Sequence, residues 1–292
     1  MPQATTQVAA MVTLYHSEPT VLTNVDSYLD QVGKLYVIDN SEQPDERLRE
    51  ALQLRSPRLL YLAPRGNEGL GVALNRAAEQ ALADGYSHLL MMDDDSSLPA
   101  GAIEQLYQTA VSRPEAGIVS AVMVDQSALQ TDRSTKPPTI DPVLTAITAG
   151  SLLNLAAYQV AGPFQEDLFI DWVDLEYSFR LKRHGFPILA DGHVRLLHRI
   201  GIKKKIRLLG FIPYQWRSHN PVRLYYKFRN SLYLLGRDQD VIPARFKRRF
   251  HKELRRNLYQ ILLAEPNKGR FFSLIRKAVA DARAGKLGKL EE

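Results

Sequence analysis

The sequence predicts an α/β protein with a mostly parallel, doubly wound sheet, followed by a helical extension. Two observations predict this class. Short β-rich apolar runs alternate with amphipathic stretches of ten or more residues, which is the pattern of parallel strands joined by crossover helices. One apolar run ends abruptly in Asp93, Asp94 and Asp95, at the carboxyl end of a strand, where open α/β sheets bind their ligands.

The individual elements follow from hydrophobic periodicity and from turn residues. The expected strands are Val8–Leu14, Lys34–Ile38, Leu59–Leu62, the run that ends at Asp93, Ile118–Val124, Thr145–Leu155, Ile188–Ala190 and Val194–Leu197. The expected helices are Thr20–Asp30, Asp45–Leu54, Leu70–Ala83, Ala100–Val111, Asp171–His184, Asn220–Leu235, Ala244–Ala264 and Arg270–Ala284. Between them, the polar range Gln126–Pro142 is expected to be a loop.

Charge divides the chain into two parts. Residues 1–198 hold 14 Lys and Arg against 25 Asp and Glu, whereas residues 199–292 hold 24 against 7. We therefore expect an acidic α/β domain over residues 1–200 and a basic, mainly helical region over residues 201–292. A basic region of this kind suggests nucleic acid or an anionic membrane surface as a partner.

Composition excludes several classes of protein. The sequence holds no cysteine, which excludes a disulfide framework and a thiolate metal site. It has no run of about eighteen apolar residues, which excludes an ordinary membrane-spanning helix. Its first residues lack a basic segment and a long apolar core, so no signal peptide is expected, and we expect a cytoplasmic protein.

The three consecutive aspartates favour a divalent cation. Neighbouring carboxylates repel and raise one another's pKa, so the triplet is costly unless a cation neutralises it. Hard oxygen ligands suit Mg²⁺ or Mn²⁺. The alternative is a helix cap, because Asp95 or Ser96 could cap a helix that begins at Pro99. One aspartate would be enough for a cap.

A second acidic cluster lies within Phe164–Tyr177, at the start of the helix expected over Asp171–His184. Acidic residues in a first turn suit the helix dipole, which would explain Asp171. Asp174 and Glu176 are two residues apart and lie on different faces of a helix. The dipole therefore does not explain both of them.

In these motifs the chain resembles the inverting family 2 glycosyltransferases of the GT-A fold. Within that family it is most similar to the bacterial rhamnosyltransferase branch that builds surface polysaccharides. The resemblance runs from about Val8 to Leu235 and rests on the order and spacing of several motifs. These are VTLYH, VIDNS, RGNEGLGVALNRA, MMDDDS, TAGSLL, FQEDLFIDWVDLEYSFR, LLHRIG and RLYYKFRNSLYLL.

The resemblance implies a nucleotide-sugar site at the ends of the first strands. Leu14 and Tyr15 would border the nucleobase, and Asp39 would hydrogen-bond to the N3–H of the base. Without the resemblance, Asp39 could equally well form an Asx turn. Arg65 and Asn67 would contact the base or the diphosphate.

The aspartate triplet matches the DXD motif of the family. Asp93 would hold the ribose, with Asp94 beside it in the donor site. Asp95 would ligate the Mg²⁺ or Mn²⁺ ion that bridges the diphosphate, and His198, in LLHRIG, would be the other metal ligand. Away from such a triplet, a lone histidine at a strand end would be interpreted as a packed residue.

The resemblance also implies a carboxylate that activates the acceptor. Asp174 occupies this position in the ED motif of the family. The chain departs from that motif, because Val173 stands where Glu is common and Glu176 stands where Asp is usual. The base could therefore also be Glu176 or Asp171. Trp172 and Glu176 would border the acceptor, with Trp172 half in the core.

Together these residues imply an inverting glycosyltransferase that moves L-rhamnose from dTDP-L-rhamnose to a glycan or a lipid-linked glycan. The leaving diphosphate must be stabilised as its charge develops, which a metal does, and inversion in one displacement needs a base for the acceptor hydroxyl. Rival donors are a UDP-hexose and UDP-galactofuranose. A rival from another class is a nucleic-acid-binding protein that uses the basic region. No reading motif is recognised there, and the acidic site does not fit a phosphate backbone.

The helix Ala244–Ala264 is strongly amphipathic. Its basic residues could hold the protein on the anionic inner face of the cell membrane, with its apolar stripe lying in the interface. The alternatives are that the same stripe packs on the catalytic domain or joins two copies in a homodimer. The stripe consists of Phe246, Phe250, Leu254, Leu258 and Ile261.

Overall fold

A computed structural model describes residues 4–125, 137–198, 204–208, 212–216, 220–265 and 267–291. The chain forms two compact units. Unit 1 contains Met1–Glu166 and Asp174–Arg199, and unit 2 contains Asp167–Val173 and Ile200–Glu292. A seven-residue segment from the middle of the chain thus belongs to the same unit as the basic C-terminal region. A single domain boundary at residue 200 does not assign this segment to unit 2.

Unit 1 consists of a β-sheet with parallel and antiparallel strands, together with helices. Its strands are β1 (Val8–Leu14), β2 (Lys34–Asp39), β3 (Leu59–Leu62), β4 (His88–Asp93), β5 (Ser96–Ser97), β6 (Ile118–Asp125), β7 (Ile140–Val143), β8 (Ser151–Asn154) and β9 (Ile188–His198). Its helices are α1 (Ala4–Gln7), α2 (Val21–Asp26), α3 (Glu46–Gln53), α4 (Leu70–Ala83), α5 (Ala102–Ser112), α6 (Leu155–Ala161) and α7 (Val173–Arg183). Short 3-10 turns lie at Leu29–Gln31 and Glu166–Leu168.

The strand order is β3-β2-β1-β4-β8-β6-β9-β5, and β7 pairs with β9. The first four strands in this order are parallel to one another. β8 is antiparallel to both β4 and β6, and β9 is parallel to β6. β6 and β9 therefore point in the same direction as β4, and their carboxyl ends meet at one edge. The predicted α/β class with a mostly parallel sheet is confirmed.

The core explains why β1 is apolar from Val8 to Val12. Val8, Ala10 and Val12 have no exposed surface and belong to one hydrophobic cluster, while the intervening Ala9 and Met11 are equally buried on the other face. A strand that is covered on both faces shows a continuous apolar run rather than alternation. The small residues along α4 pack over this part of the sheet, where seven residues of the helix are buried.

Several elements of unit 1 differ from the sequence-based expectation, among them the helix expected over Thr20–Asp30, which ends at Asp26 and is followed by the 3-10 turn Leu29–Gln31. The expected strand Thr145–Leu155 is shorter, and α6 follows it directly, with the Asn154 side chain accepting from two of its first N–H groups. β9 is one strand where two were expected, and it accommodates a register shift opposite β6. Part of the expected loop Gln126–Pro142 lies outside the described residues, and its last residues belong to β7.

Unit 2 contains a β-hairpin and three helices among its described residues. The hairpin pairs β10 (Lys204–Leu208) with β11 (Ile212–Trp216), and the helices are α8 (Pro221–Arg237), α9 (Ala244–Ala264) and α10 (Lys268–Ala284). Asn220 caps α8 by accepting from the backbone N–H of Val222, and Pro221 occupies the first turn. α8 and α10 pack together, and the Tyr225 hydroxyl donates to Asp281 Oδ2 at 2.6 Å.

The apolar stripe of α9 is turned inward. Phe250, Leu254 and Ile261 are buried, and the Trp172 ring meets the rings of Phe246 and Phe250 edge-on. The expectation that this stripe lies in a membrane interface is therefore wrong for Phe250, Leu254 and Ile261, because these three side chains are buried. No helix in the described part of the chain is long and apolar enough to cross a membrane.

Candidate functional site

The strand register gathers acidic residues at the carboxyl edge of the sheet. Leu14, the last residue of β1, pairs with Asp39 of β2, and Thr13 pairs with Asp93 of β4. Asp39 and Asp93 thus flank β1 at nearly the same level. Two strand spacings of about 4.8 Å separate their backbones by about 10 Å. This spacing suits a ligand that extends across the edge.

Hydrogen bonds tie the loops at this edge together. The Asn40 N–H donates to Leu14 O at 2.9 Å, and the His16 N–H donates to Ser41 Oγ at 2.8 Å. The Asn40 amide also donates to Gly69 O at 3.0 Å, which links the end of β2 to the start of α4. Loops held in this way present a preformed surface to a ligand.

Asp39 is almost fully buried and held by two donors. Its Oδ1 accepts from the Ser41 N–H at 2.9 Å, which is an Asx turn, and its Oδ2 accepts from the Tyr61 hydroxyl. Burial, together with the Asp39 carboxylate, raises the pKa of Tyr61, so this hydroxyl remains a donor. Each carboxylate oxygen has a second acceptor site. The turn therefore does not prevent Asp39 from accepting a further hydrogen bond.

The two residues expected beside the nucleobase differ in accessibility. Tyr15 is 50% exposed, with its ring edge-on to His16. Leu14 has no exposed surface and belongs to the core. Of the two, Tyr15 is therefore the residue whose side chain is accessible to a base, whereas the Leu14 side chain is covered by the core.

The loop before α4 presents backbone N–H groups. Gly69 caps the helix with φ 94°, no side chain caps the first turn, and no acidic residue lies in it. Such a helix start favours negative charge. Asn67 Oδ1 accepts from the Gly69 N–H at 3.0 Å and shapes the turn. Arg65 is exposed in the same loop.

The three aspartates after β4 have different environments. Asp93 is half-buried, and Asp95 is exposed. The Asp94 carboxylate accepts from the Ser17 hydroxyl, and its carbonyl accepts from the Asn24 amide at 2.7 Å. Burial raises the pKa of the Asp94 carboxyl, the Ser17 hydrogen bond opposes this, and the charge of Asp95 adds to it. A cation beside the triplet would favour the ionised form of Asp94.

The register of β5 and β9 brings the two expected metal ligands to neighbouring positions along the backbone. Ser96, which directly follows Asp95, pairs with His198, the last residue of β9. The imidazole of His198 lies outside the described side chains. Among the side chains that are described, no group of three or more His, Asp or Glu residues is arranged to hold a metal.

Asp174 lies in the first turn of α7, half-buried, and its Oδ1 accepts from the Leu175 N–H at 2.9 Å. Near the other end of the helix, Leu181 lies against Gly117, at the amino end of β6. A short turn then leads into β9. α7 thus runs antiparallel to β9, and Asp174 lies toward the edge that holds the carboxyl ends of β4 and β9.

The two alternative bases are placed less favourably than Asp174. Glu176 is 3% exposed and accepts two hydrogen bonds from Arg180, at 3.1 and 2.8 Å. Its carboxylate is therefore satisfied in the interior and does not face an acceptor. Asp171 precedes α7 rather than beginning it, and its Oδ2 lies 3.4 Å from Arg223 Nε.

The segment Asp167–Val173, directly before Asp174, has an unusual backbone. Phe169, Asp171 and Trp172 have φ values of 65°, 60° and 73°, which side chains other than glycine rarely adopt. This conformation explains why α7 begins two residues later than expected. A backbone of this kind persists only where its surroundings hold it.

Two buried side chains of α8 hold the segment. Asn230 Nδ2 lies 2.8, 2.9 and 2.8 Å from the carbonyl oxygens of Leu168, Ile170 and Asp171, so its two N–H groups are shared among three acceptors. The Arg229 guanidinium donates to Leu168 O at 3.0 Å. Both residues lie in the motif RLYYKFRNSLYLL, but the motif did not predict that either would hold this segment. The available signal was an adjacent Arg and Asn in a helix whose neighbouring Tyr and Phe residues pack in the core.

Trp172 is 4% exposed and packs edge-on against the rings of Phe246 and Phe250, at centroid distances of 6.0 and 4.7 Å. This burial does not favour the expected acceptor platform, because little of the ring is exposed to a ligand. Its contribution is to anchor the segment before α7.

Replacing Asn230 with alanine should destabilise unit 2. Leu168 O still accepts from Arg229 in this variant, whereas the Ile170 and Asp171 carbonyls lose the Asn230 amide. Each carbonyl that stays buried without a donor costs about 1–3 kcal/mol of unfolding free energy, which urea unfolding measures. Ser231→Ala is the matched control, because Ser231 is equally buried and donates only to Phe228 O in its own helix. Equal losses for the two variants would show that Asn230 does not hold the segment.

The mostly parallel sheet, its acidic carboxyl edge and an uncapped helix start are the features of an α/β protein, a class in which ligands generally bind at this edge. Residues 10–162, just over half of the chain, match the family described as Glycosyl transferase family 2. The chain therefore belongs to glycosyl transferase family 2, and the resemblance found in the sequence is confirmed. It is a glycosyltransferase.

A curated relative is the dTDP-rhamnosyl transferase RfbF of Shigella flexneri. It is 24% identical over 249 residues, which cover 79% of this chain and 80% of the relative.

Solved structures confirm the GT-A fold. S. aureus TarS residues 1–349, in complex with UDP-GlcNAc, matches with a TM-score of 0.62 and 14% identity, covering 96% of this chain and 88% of that one. The mannosyltransferase PcManGT of Pyrobaculum calidifontis, with GDP-Man and Mn²⁺, matches with a TM-score of 0.57 and 16% identity. This match covers 99% of this chain and 79% of that one. GalNAc-T7, with UDP, GalNAc and Mn²⁺, matches with a TM-score of 0.61 and 13% identity. This match covers 95% of this chain but only 57% of that one.

Proposed function

We propose that the protein transfers L-rhamnose from dTDP-L-rhamnose to a glycan acceptor with inversion at the anomeric carbon. The observation that carries this proposal is the strand register that places Asp39 and Asp93 on either side of β1. Asp174 begins a helix at the same edge. The RfbF relative, matched over 80% of its length, supports the choice of donor. A UDP-hexose and UDP-galactofuranose remain the rival donors.

In this proposal the donor lies across the carboxyl edge. Asp39 accepts the N3–H of the base, and the exposed Tyr15 ring borders it. Arg65 and the N–H groups before α4 face the diphosphate, in a loop shaped by Asn67. Asp93 holds the ribose. Asp94 acts mainly through its bonds to the loop after β1, which fix the position of the other two aspartates.

The residues present fit a divalent ion, Mg²⁺ or Mn²⁺. Asp95 is exposed beside two further carboxylates, and the paired backbone brings His198 to the neighbouring position. These two residues would hold the ion, and the donor diphosphate would supply further oxygens. The relatives solved with Mn²⁺ support this assignment. When bound, the ion would stabilise the charge that develops on the leaving diphosphate.

Asp174 is the general base of the proposed reaction. Its carboxylate takes the proton of the acceptor hydroxyl as that oxygen attacks the anomeric carbon from the face opposite the diphosphate. One displacement then inverts the configuration without a covalent intermediate. The acceptor is a glycan on a lipid carrier, which places the reaction at the inner face of the cell membrane.

A thermal-shift screen of donors tests the proposal. With Mg²⁺ or Mn²⁺ present, dTDP-L-rhamnose at 100 times its Kd should add about 2.7 kcal/mol to the unfolding free energy. UDP-hexoses and UDP-galactofuranose at the same concentration should add less. The rhamnose assignment fails if one of these donors stabilises more strongly. The proposal of glycosyl transfer itself is contradicted if no nucleotide sugar stabilises the protein and DNA binds to it with a steep salt dependence.

A further inference from the structure

The helix α9 has an outer face that differs from its buried stripe. Nine side chains along this face are exposed, and they recur at intervals of three and four residues. Residues at these intervals form one continuous stripe along a helix. The nine residues are Arg245, Arg248, Arg249, Lys252, Arg255, Arg256, Tyr259, Leu262 and Leu263.

The first six residues of this outer stripe are all cations. The helix contains one acidic residue, Glu253, which is half-buried and accepts from Lys227 at 2.5 Å. Its distance to Arg256 Nη2 is 4.0 Å, which is the limit of an ion pair. Like charges three and four residues apart repel one another. An extended anionic surface would relieve this repulsion along about 20 Å of helix.

The last three residues of the outer stripe are large and apolar. Tyr259, Leu262 and Leu263 are 65%, 49% and 54% exposed. Nucleic acid would account for the cations but would leave the two leucines in water. A lipid surface accounts for both parts, because cations meet phosphate headgroups while apolar side chains enter the acyl boundary.

We propose that the outer stripe of α9 docks the protein on an anionic lipid bilayer. The six cations contact headgroup phosphates, and Tyr259, Leu262 and Leu263 insert at one end. Phe250, Leu254 and Ile261 take no part, because these side chains are buried. The inference is drawn from the helix itself; the lipid-linked acceptor of the proposed function only gives the docking a purpose.

Vesicle sedimentation tests this surface with the full-length protein. The wild type should sediment with phosphatidylcholine vesicles that contain phosphatidylglycerol, should stay in solution with phosphatidylcholine alone, and should be released by salt. The triple variant Arg248→Glu, Arg249→Glu, Arg255→Glu should bind at least about 100-fold more weakly, since each cation contributes roughly fivefold. The double variant Leu262→Ser, Leu263→Ser should lose about tenfold.

A matched control removes the effect of net charge. Lys268→Glu, Arg270→Glu and Arg276→Glu change the charge by the same amount on exposed positions of α10 and should leave binding within about threefold of the wild type. Thermal melting checks that each variant is folded, and donor-induced stabilisation should be the same for all of them. Failure to dock is therefore distinguishable from failure of the proposed chemistry.

Four results would overturn the proposal. The first is no sedimentation of the wild type with anionic vesicles at low salt. The second is an equal loss of binding for the α9 and α10 charge variants, which would reduce the effect to net charge. The third is binding that is insensitive to the leucine substitutions and stronger to DNA than to vesicles, and the fourth is a dimer that the Leu262 and Leu263 substitutions dissociate.

Discussion

Asp174→Asn should lower kcat by about 100- to 10,000-fold and leave donor binding close to that of the wild type. The range is that expected when a general base is removed. Asparagine keeps the shape of the side chain, and its carbonyl oxygen can still accept from the Leu175 N–H. Donor binding should survive because the residues proposed to bind the donor lie at the ends of β2 and β4 and in the loops after β1 and β3. Steady-state kinetics and donor-induced thermal shifts measure the two effects separately.

The neighbouring carboxylates provide the controls for Asp174. Asp171→Asn should keep nearly wild-type kcat, because Asp171 precedes α7 and faces Arg223. Glu176→Gln should instead lower stability, because it removes the charge that pairs with Arg180, although Arg180 still donates to the carbonyls of Ala161 and Pro163. The assignment is contradicted if Asp174→Asn turns over normally while either neighbour, still folded, does not.

Removing the divalent ion should abolish turnover. EDTA is expected to reduce activity to background, and an excess of Mg²⁺ or Mn²⁺ should restore it, because the leaving diphosphate would otherwise carry its developing charge unscreened. Asp95→Ala should have a similarly large effect on kcat/KM and should weaken metal-dependent donor binding. Activity and donor thermal shifts with and without the ion measure these effects.

Asp141→Ala is the matched control for Asp95→Ala. Asp141 is also an exposed aspartate of unit 1, but it lies in β7, where it pairs with Ala190 and accepts from Thr139. This variant should respond to EDTA as the wild type does. Full activity of Asp95→Ala in the presence of EDTA would remove the metal from the mechanism.

Much of the fold follows from local sequence patterns. β1 and α4 have the expected bounds, because a doubly covered strand is apolar throughout and a helix over a sheet repeats small residues on one face. β7 was not expected, since Pro142 argues against a strand interior. β7 nevertheless forms, and among the described strands it pairs with β9 alone.

Site residues were predictable where a motif marks them, but their exposure was not. The sequence places Leu14 and Trp172 near the site, yet both are buried, because exposure depends on side chains that are distant in the chain. Trp172 meets Phe246 and Phe250 only after folding. Asn230 was missed for the same reason, since its three acceptors lie about 60 residues earlier.

Asn230 contacts carbonyls of a segment that is synthesised much earlier than Asn230 itself, so this segment is fixed only late in the synthesis of the chain. A chain that grows from its N-terminus exposes Asp171 59 residues before Asn230 has been made. Unit 1 can gather its sheet early, because domains generally fold as they emerge. The bend that precedes Asp174 has no amide to fix its carbonyls until α8 leaves the ribosome. The segment before Asp174 is therefore fixed only after α8 has been made, and a chain that stops near residue 200 lacks the side chains that hold it.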